Sequence, residues 1–301
     1  MGYMPTYVAK RMPTVKLSDP DSVRISVVTS LEDDNIGLVP QLTGPAVQKI
    51  VESSRDAHGY GVLTRQWMHS NLLPTLHYLS HAAWERGWRP DMAYAHLFSG
   101  ICGEQAVLHI QQGFRIIEEL TERLHSRVVC ISFPVPHWIT NLWYAQRWPE
   151  DRTPQQMLSI ADTYERAAEH LRKAIDACKP VGNEYLRSIE RHVTHAVFYA
   201  RAIAELGQAY EHNRKAEDAR ATNQFDRLDR ESEAATCAAK ESAQLMRNAC
   251  EAFAEGVLDR VDLGALAALN NFNLEIVETI ACILGMRSSA FSSTEHPETN
   301  Q

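Results

Sequence analysis

The spacing of apolar residues changes once along this chain, near Pro74. Upstream, Val23-Arg24-Ile25-Ser26-Val27-Val28-Thr29-Ser30 is rich in β-branched residues and alternates roughly in period two. That is the pattern of a partly buried strand, and it runs into the acidic loop Glu32-Asp33-Asp34-Asn35. From Gly44 to Arg55, Val47, Ile50 and Val51 recur at helical spacing, and the segment stops at Gly59 and Gly61. A second short strand, Gly61-Val62-Leu63-Thr64, passes directly into Arg65-Gln66-Trp67. Strand, helix and strand make one βαβ unit, and such units are right-handed with parallel strands.

After Pro74 the period becomes helical. Leu76, Leu79, Ala83 and Trp84 mark one helix, Met92, Ala95, His96 and Ile101 a second, and Ala106, Ile110, Phe114, Ile117, Leu120 and Leu124 a longer third. Residues 127–152 interrupt the pattern: Val128-Val129-Cys130-Ile131 suits a short strand, and Phe133-Pro134-Val135-Pro136-His137-Trp138 breaks any helix. Thr153-Pro154 opens the next helix with a capping residue and a proline at the first helical position, and it runs to Cys178. Further helices fill roughly 183–214, 215–257 and 262–285. The mixed-sign run Arg214–Arg220 reads as a solvated helix face or a coiled-coil contact. The expected organisation is an irregular lead-in at 1–22, a β/α segment at 23–72, a helical domain at 73–287 and a flexible tail at 288–301. The fold class is mostly α, a long-helix C-terminal bundle behind a short N-terminal parallel β/α segment. No repeat of solenoid length is present.

Composition sharpens this picture in a few places. With 301 residues, 45% hydrophobic and 23% charged, the chain is long enough to bury a sizeable core without disulfides or metal. A net charge of -8 argues against nucleic acid as a partner. No run reaches the ~20 apolar residues of a membrane span, and the start lacks the regions of a signal peptide, so a cytoplasmic chain, or one whose N-terminus lies elsewhere, is expected. Gly2 and Thr6 match a myristoylation signal only loosely. The six cysteines are scattered singly, as buried thiols of a reducing compartment would be. Cys102-Gly103-Glu104 sits at a helix start, where the dipole lowers a thiol pKa, but a buried structural thiol is the simpler reading.

The main candidate for chemistry is the loop Glu32, Asp33, Asp34 with Asn35, because parallel α/β architectures place catalytic groups at the carboxyl ends of strands. Three adjacent carboxylates repel, which raises a pKa or recruits a cation or a sugar hydroxyl; the plain alternative is an exposed acidic turn. Arg65, Gln66 and Trp67 sit at the equivalent end of the next strand, where an indole stacks on a pyranose and polar groups take its hydroxyls, unless Arg65 simply pairs with Asp33 or Asp34 and Trp67 roofs the core. His137, Trp138, Trp143, Tyr144 and Trp148 either plug a junction or line a ligand cleft. His192 and His195 lack the Glu-x-x-His companions of a di-iron bundle and read as partners of surface carboxylates. No metal site, cofactor motif, nucleophile elbow or phosphate loop is found.

The succession Leu31–Asn35, Gly61–Trp67 and Leu73–Trp84 resembles the last strands of a glycoside hydrolase barrel passing into its C-terminal helical domain. In α-glucuronidase-like and β-hexosaminidase-like enzymes a Tyr-Leu-x-x-Ala-x-Trp segment similar to Tyr78–Trp84 follows the last strand. The resemblance covers roughly 23–125 and implies a carbohydrate-active hydrolase acting on a sugar or oligosaccharide. Joined to the strand-end and aromatic-loop readings above, it makes Glu32, Asp33 and Asp34 the expected catalytic carboxylates and Asn35, Arg65, Gln66, Trp67, His137, Trp138 and Trp143 the expected substrate-binding groups. An eight-stranded barrel needs ~250 residues, so five or six strands would come from an upstream barrel portion or another chain; besides a sugar or oligosaccharide substrate, the partner expected is that barrel portion or a homo-oligomer. The alternatives are a helical protein-interaction scaffold and a small-molecule-binding regulatory domain.

Overall fold

Prolines, glycines and capping side chains decide where the helices of this chain begin and end. A computed structural model describes residues 26–32, 36–56, 61–65, 72–127, 138–144 and 152–292. Within these, β1 (Ser26–Ser30) is followed by α1 (Gly44–Asp56), β2 (Gly61–Arg65), α2 (Leu73–Ala82), α3 (Pro90–Ile101) and α4 (Glu104–Arg127). Then come α5 (Trp138–Tyr144), α6 (Pro154–Asp176), α7 (Pro180–Ala221), α8 (Phe225–Glu255), α9 (Arg260–Leu269), a π-helical turn (Asn270–Leu274) and α10 (Glu275–Ser292). The fold is mostly helical, with a short parallel strand pair at its N-terminal end.

The starts have local causes. Arg89 is extended, the conformation favoured before proline, and α3 begins at Pro90. At α6, Thr153 Oγ1 accepts from the Gln156 N–H at 3.3 Å while Gln156 Oε1 accepts from the Thr153 N–H at 2.9 Å, a reciprocal cap that satisfies two orphan donors. Asp259 Oδ1 accepts from the N–H groups of Val261 and Asp262 to open α9.

Several expected boundaries move. Ala83 and Trp84 lie beyond α2, and Trp84 stands exposed. The face that α3 buries is Pro90, Ala93, Tyr94 and Phe98, while Met92 is exposed. No break falls between Arg214 and Lys215: nothing there interrupts the hydrogen-bond ladder, and α7 continues to Ala221. The last helical stretch is not one segment at 262–285, because the π turn divides it and α10 runs on to Ser292. Part of the proline-broken aromatic loop is helical, α5, beginning just past Pro136. The expected strand at 128–131, the lead-in at 1–22 and His137 lie outside the described residues.

The chain divides into two units. Unit 1 comprises Met1–Phe133, Thr163–Thr194 and Glu255–Ala265, and unit 2 comprises Pro134–Asp162, His195–Ala254 and Leu266–Gln301. In unit 1, β1 and β2 pair in parallel from Ser26↔Gly61 to Ser30↔Arg65. Leu31, Val47, Val51, Leu72, Tyr78, Leu79, Ala82 and Ala93 close one core, with Val62, Leu76 and Trp88 packed against it. Between β1 and α1 the described residues Leu31, Glu32 and 36–43 are buried, and several of their backbone groups are paired. Thr43 Oγ1 donates to the Leu31 carbonyl at 2.7 Å, Thr121 Oγ1 accepts from the Leu42 N–H, and the Tyr164 hydroxyl donates to the Pro40 carbonyl.

In unit 2, α7 and α8 run antiparallel. His212 meets Glu231, the Ser242 hydroxyl donates to the Ala202 carbonyl at 2.7 Å, and His195 Nδ1 donates to the Ala249 carbonyl at 2.9 Å. Buried alanines on both helices (Ala200, Ala209, Ala235, Ala239) allow that close approach. The Asn273 amide, buried in the π turn, donates to the Tyr199 hydroxyl at 3.0 Å. Arg260–Arg287 is the one described helical run long and apolar enough to cross a membrane by length and composition, although Asp262, Glu275 and Glu278 interrupt its apolar character.

Candidate functional site

The predicted rim begins with the strand register. Because Ser30 pairs with Arg65 in a parallel ladder, the segment entering the acidic loop and the segment entering Gln66-Trp67 leave the sheet at the same edge. Glu32 is buried at that edge, with 2% of its surface exposed. Asp33, Asp34, Asn35, Gln66 and Trp67 lie outside the described residues, as does the side chain of Arg65. The predicted site residues Trp138 and Trp143 both lie on α5, in unit 2, whereas the rim belongs to unit 1.

Around α5 the aromatic side chains do two different things. The Arg152 guanidinium lies over the Trp138 ring, 4.6 Å from its centroid, a packing role. Trp143 packs edge-on to Tyr210 at 5.9 Å and, with Tyr144, Arg214, Glu217 and Arg287, lines a cavity of about 390 Å³ closed on one side by Ile280 and Leu284. That volume lies within the range of small-molecule sites. The Asn213 amide donates to Glu217 at 3.3 Å, so the cavity offers a stacking face, an acceptor and two cationic donors.

Two clusters that sequence reasoning missed lie in unit 1. The first is Tyr94 with Glu118: the phenol donates to the carboxyl at 2.8 Å, in contact with the first residue of α1. A Cβ on Gly44 would stand 2.3 Å from the Tyr94 hydroxyl oxygen and 2.8 Å from Glu118 Oε1, so only glycine fits that helix start. Burial pushes the Glu118 carboxyl up to about 7, against the lowering effect of the Tyr94 hydrogen bond, with Asp91 and Glu119 adding to the rise. A half-buried acid with such a pKa is a proton donor near neutrality; here its partner is a structural tyrosine.

The second cluster is His77, His81 and His96. His77 and His81 stand one turn apart on α2 and His96 comes from α3, with their ligand nitrogens all within 4.8 Å of one another. His77 Nε2 and His96 Nδ1 are 3.0 Å apart. Burial, then the neighbouring His81 and His96, holds the His77 imidazole below its ordinary pKa. The i, i+4 histidine spacing was legible in the sequence; the third member needs the packing of α2 on α3 to be seen.

One sequence expectation concerning histidine is corrected. His192 and His195 are fully buried, not surface partners of carboxylates, and the Nδ1 of His195 donates to a backbone carbonyl of α8. The helix face that carries them is an internal one, filled by Val193, Ala196 and Tyr199. Cys102 is buried, as the structural reading expected, and burial pushes its thiol up to about 12. The five cysteines among the described residues are free thiols, and against the expectation of burial Cys237 and Cys282 are exposed and Cys178 is partly so. Comparison with protein-family models, with curated proteins and with solved structures gives no match.

Proposed function

We propose that this chain is the C-terminal portion of a carbohydrate-active enzyme of the glycoside hydrolase type, with β1–α1–β2 as the end of a larger parallel sheet and the helices as the domain that follows it. The observation that carries the reading is the β1/β2 pair itself. Parallel strands occur almost wholly inside sheets covered on both faces, and a two-stranded sheet is marginal alone. Among the described residues the sheet is this pair, and further strands beside it would complete a parallel sheet of the ordinary size. The shared edge holds Glu32 and the backbone of Arg65, where a barrel presents catalytic groups. Hydrolysis requires two carboxyl groups, and strands beyond this pair would supply the second.

The test is a titration of tryptophan fluorescence with mono- and oligosaccharides, uronic acids included, on the full chain and on the chain joined to an in-frame upstream barrel. We expect a saturable response that weakens about tenfold to a hundredfold in Asp33→Asn, Asp34→Asn or Arg65→Ala, the worth of one charged hydrogen bond. No saturable response from either protein would sink the reading.

The cavity beside α5 favours a second reading, a small polar-aromatic ligand held in unit 2 by Trp143, Arg214 and Arg287. A response lost in Trp143→Ala and Arg287→Ala but indifferent to Arg65→Ala would select it.

A further inference from the structure

We propose that His77, His81 and His96 form a three-imidazole site for a divalent transition-metal ion of the borderline class, Zn²⁺ foremost. Imidazole nitrogen is the ligand these ions share, and three protein ligands with an open fourth position is their reactive arrangement. The scaffold holds the three rings on two packed helices. The buried face of α2, Thr75, Tyr78, Leu79 and Ala82, fixes the helix against the unit 1 core and leaves His77 and His81 on one flank a turn apart. From α3, Ala93 joins the same core and sets the depth at which His96 arrives.

The distances suit a metal after small ring adjustments. At Zn–N lengths of ~2.0–2.1 Å, two tetrahedral ligands stand ~3.3 Å apart. His77 and His96 already present nitrogens 3.0 Å apart. The widest separation in the set, within 4.8 Å, closes by rotations about the soft χ2 of histidine. The ring centroids lie 4.7 Å apart for His77 and His81, and 5.3 Å for each of them with His96.

A fourth aromatic ring braces the set. Trp88 stacks on His81 at 4.2 Å with 17° between planes and stands edge-on to His96 at 5.7 Å. Its indole N–H donates to Glu85 at 2.6 Å, which fixes the ring. The turn that carries both is fastened to α1, where the Arg55 guanidinium donates to the Ala82 and Glu85 carbonyls. His81 is thereby held by a ring that also touches His96, the kind of support that pre-orients a ligand. His96 is exposed, so an ion reaches the site from solvent and keeps a water or an anion as its fourth ligand.

Zn²⁺ is titrated calorimetrically into the full chain, and Co²⁺ is followed by its visible absorption. The expected result is one ion per chain with Kd below about 10 µM and the intense Co²⁺ bands of a four-coordinate site. His96→Ala, at an exposed position that leaves the fold intact by circular dichroism, weakens Zn²⁺ binding at least about tenfold. His77→Ala combined with His81→Ala abolishes it, and His212→Ala, which removes an imidazole engaged with Glu231, changes nothing. If the double variant fails to fold, His96→Ala decides alone. Absence of saturable binding to the wild type, or a His96→Ala protein that binds within about tenfold of it, overturns the site.

Discussion

Glu118 is a carboxyl group whose surroundings oppose its charge. Burial raises it from an ordinary 4.5 to about 7, which means that the folded chain holds this proton more tightly than the unfolded one. The stability it contributes is therefore complete below about pH 4.5 and is lost as the pH rises through about 7. The full loss is on the order of 3 kcal/mol as an upper figure. Glu118→Gln keeps an acceptor for the Tyr94 hydroxyl and removes the titration. We expect urea midpoints measured from pH 5 to pH 8 to fall less steeply for the variant than for the wild type, and the variant to be the more stable at pH 8; parallel profiles would show that Glu118 is not the group responsible. None of this was legible in the sequence, where Tyr94 and Glu118 are 24 positions apart and Gly44 gives no sign of abutting both. The histidine triad escaped for the same reason. Two of its members are neighbours in sequence space, but the third comes from another helix, and only packing joins them. By contrast, the parallel pairing that sets Ser30 beside Arg65 was anticipated by an argument about strand direction, and that argument needs no side-chain contact.

At the scale of elements, the helices that were read correctly are those whose apolar stripe is long enough to fix a face. All six apolar positions assigned to the helix at 104–127 are buried in α4. The shorter α3 carries apolar residues on more than one side, and its buried face was misread because Ala93 and Tyr94 compete there with Met92 and Ala95. A helix start was legible where a proline and a capping side chain mark it, as at Thr153-Pro154, and an end was not where the stop depends on backbone conformation. The end of α7 is such a case. Asn223 adopts a left-handed φ of 55°, the Gln224 N–H donates to the Ala219 carbonyl at 2.9 Å and the Asn223 N–H to that of Arg220 at 3.2 Å. This is the cap in which glycine or asparagine turns the chain, and a β-branched residue there clashes with its own carbonyl. Asn223→Gly should leave the melting temperature unchanged or slightly raised, whereas Asn223→Val should cost about 1–2 kcal/mol. Equal melting temperatures for the two variants would mean that the turn does not require the left-handed conformation.

For the whole molecule, the change of apolar period near Pro74 was sufficient to give a mostly helical chain with a parallel β/α lead-in, because period depends on local geometry alone. The grouping into two units was not legible, since α6, α7 and α9 each contribute residues to both and no linker separates them in sequence. The C-terminal stretch shows what such a grouping demands. Leu269, Val277, Ile280 and Leu284 are buried, the Asn273 amide donates to Tyr199 on α7, and Arg247 on α8 pairs with Glu278 on α10. Truncation before Asp262 deletes all of these partners, and with them the Asp262 carboxylate that accepts from the Leu258 N–H. Each fully buried aliphatic side chain is worth ~1.5–3 kcal/mol, an upper estimate for a chain whose unfolded state already hides some of that surface. Four of them amount to a large share of the ~5–15 kcal/mol by which a native domain is stable. The apolar surfaces of α7 and α8 that they cover would then face water, and exposed patches of that kind associate. The truncated chain is therefore expected to lose the cooperative melting of unit 2 and to elute as soluble aggregate or precipitate in size-exclusion chromatography, while Arg247→Ala alone, which breaks only a half-exposed ion pair, should shift stability by ~1 kcal/mol or less. A truncated protein that stays monomeric with an unchanged melting temperature would show that α9 and α10 do not close this unit.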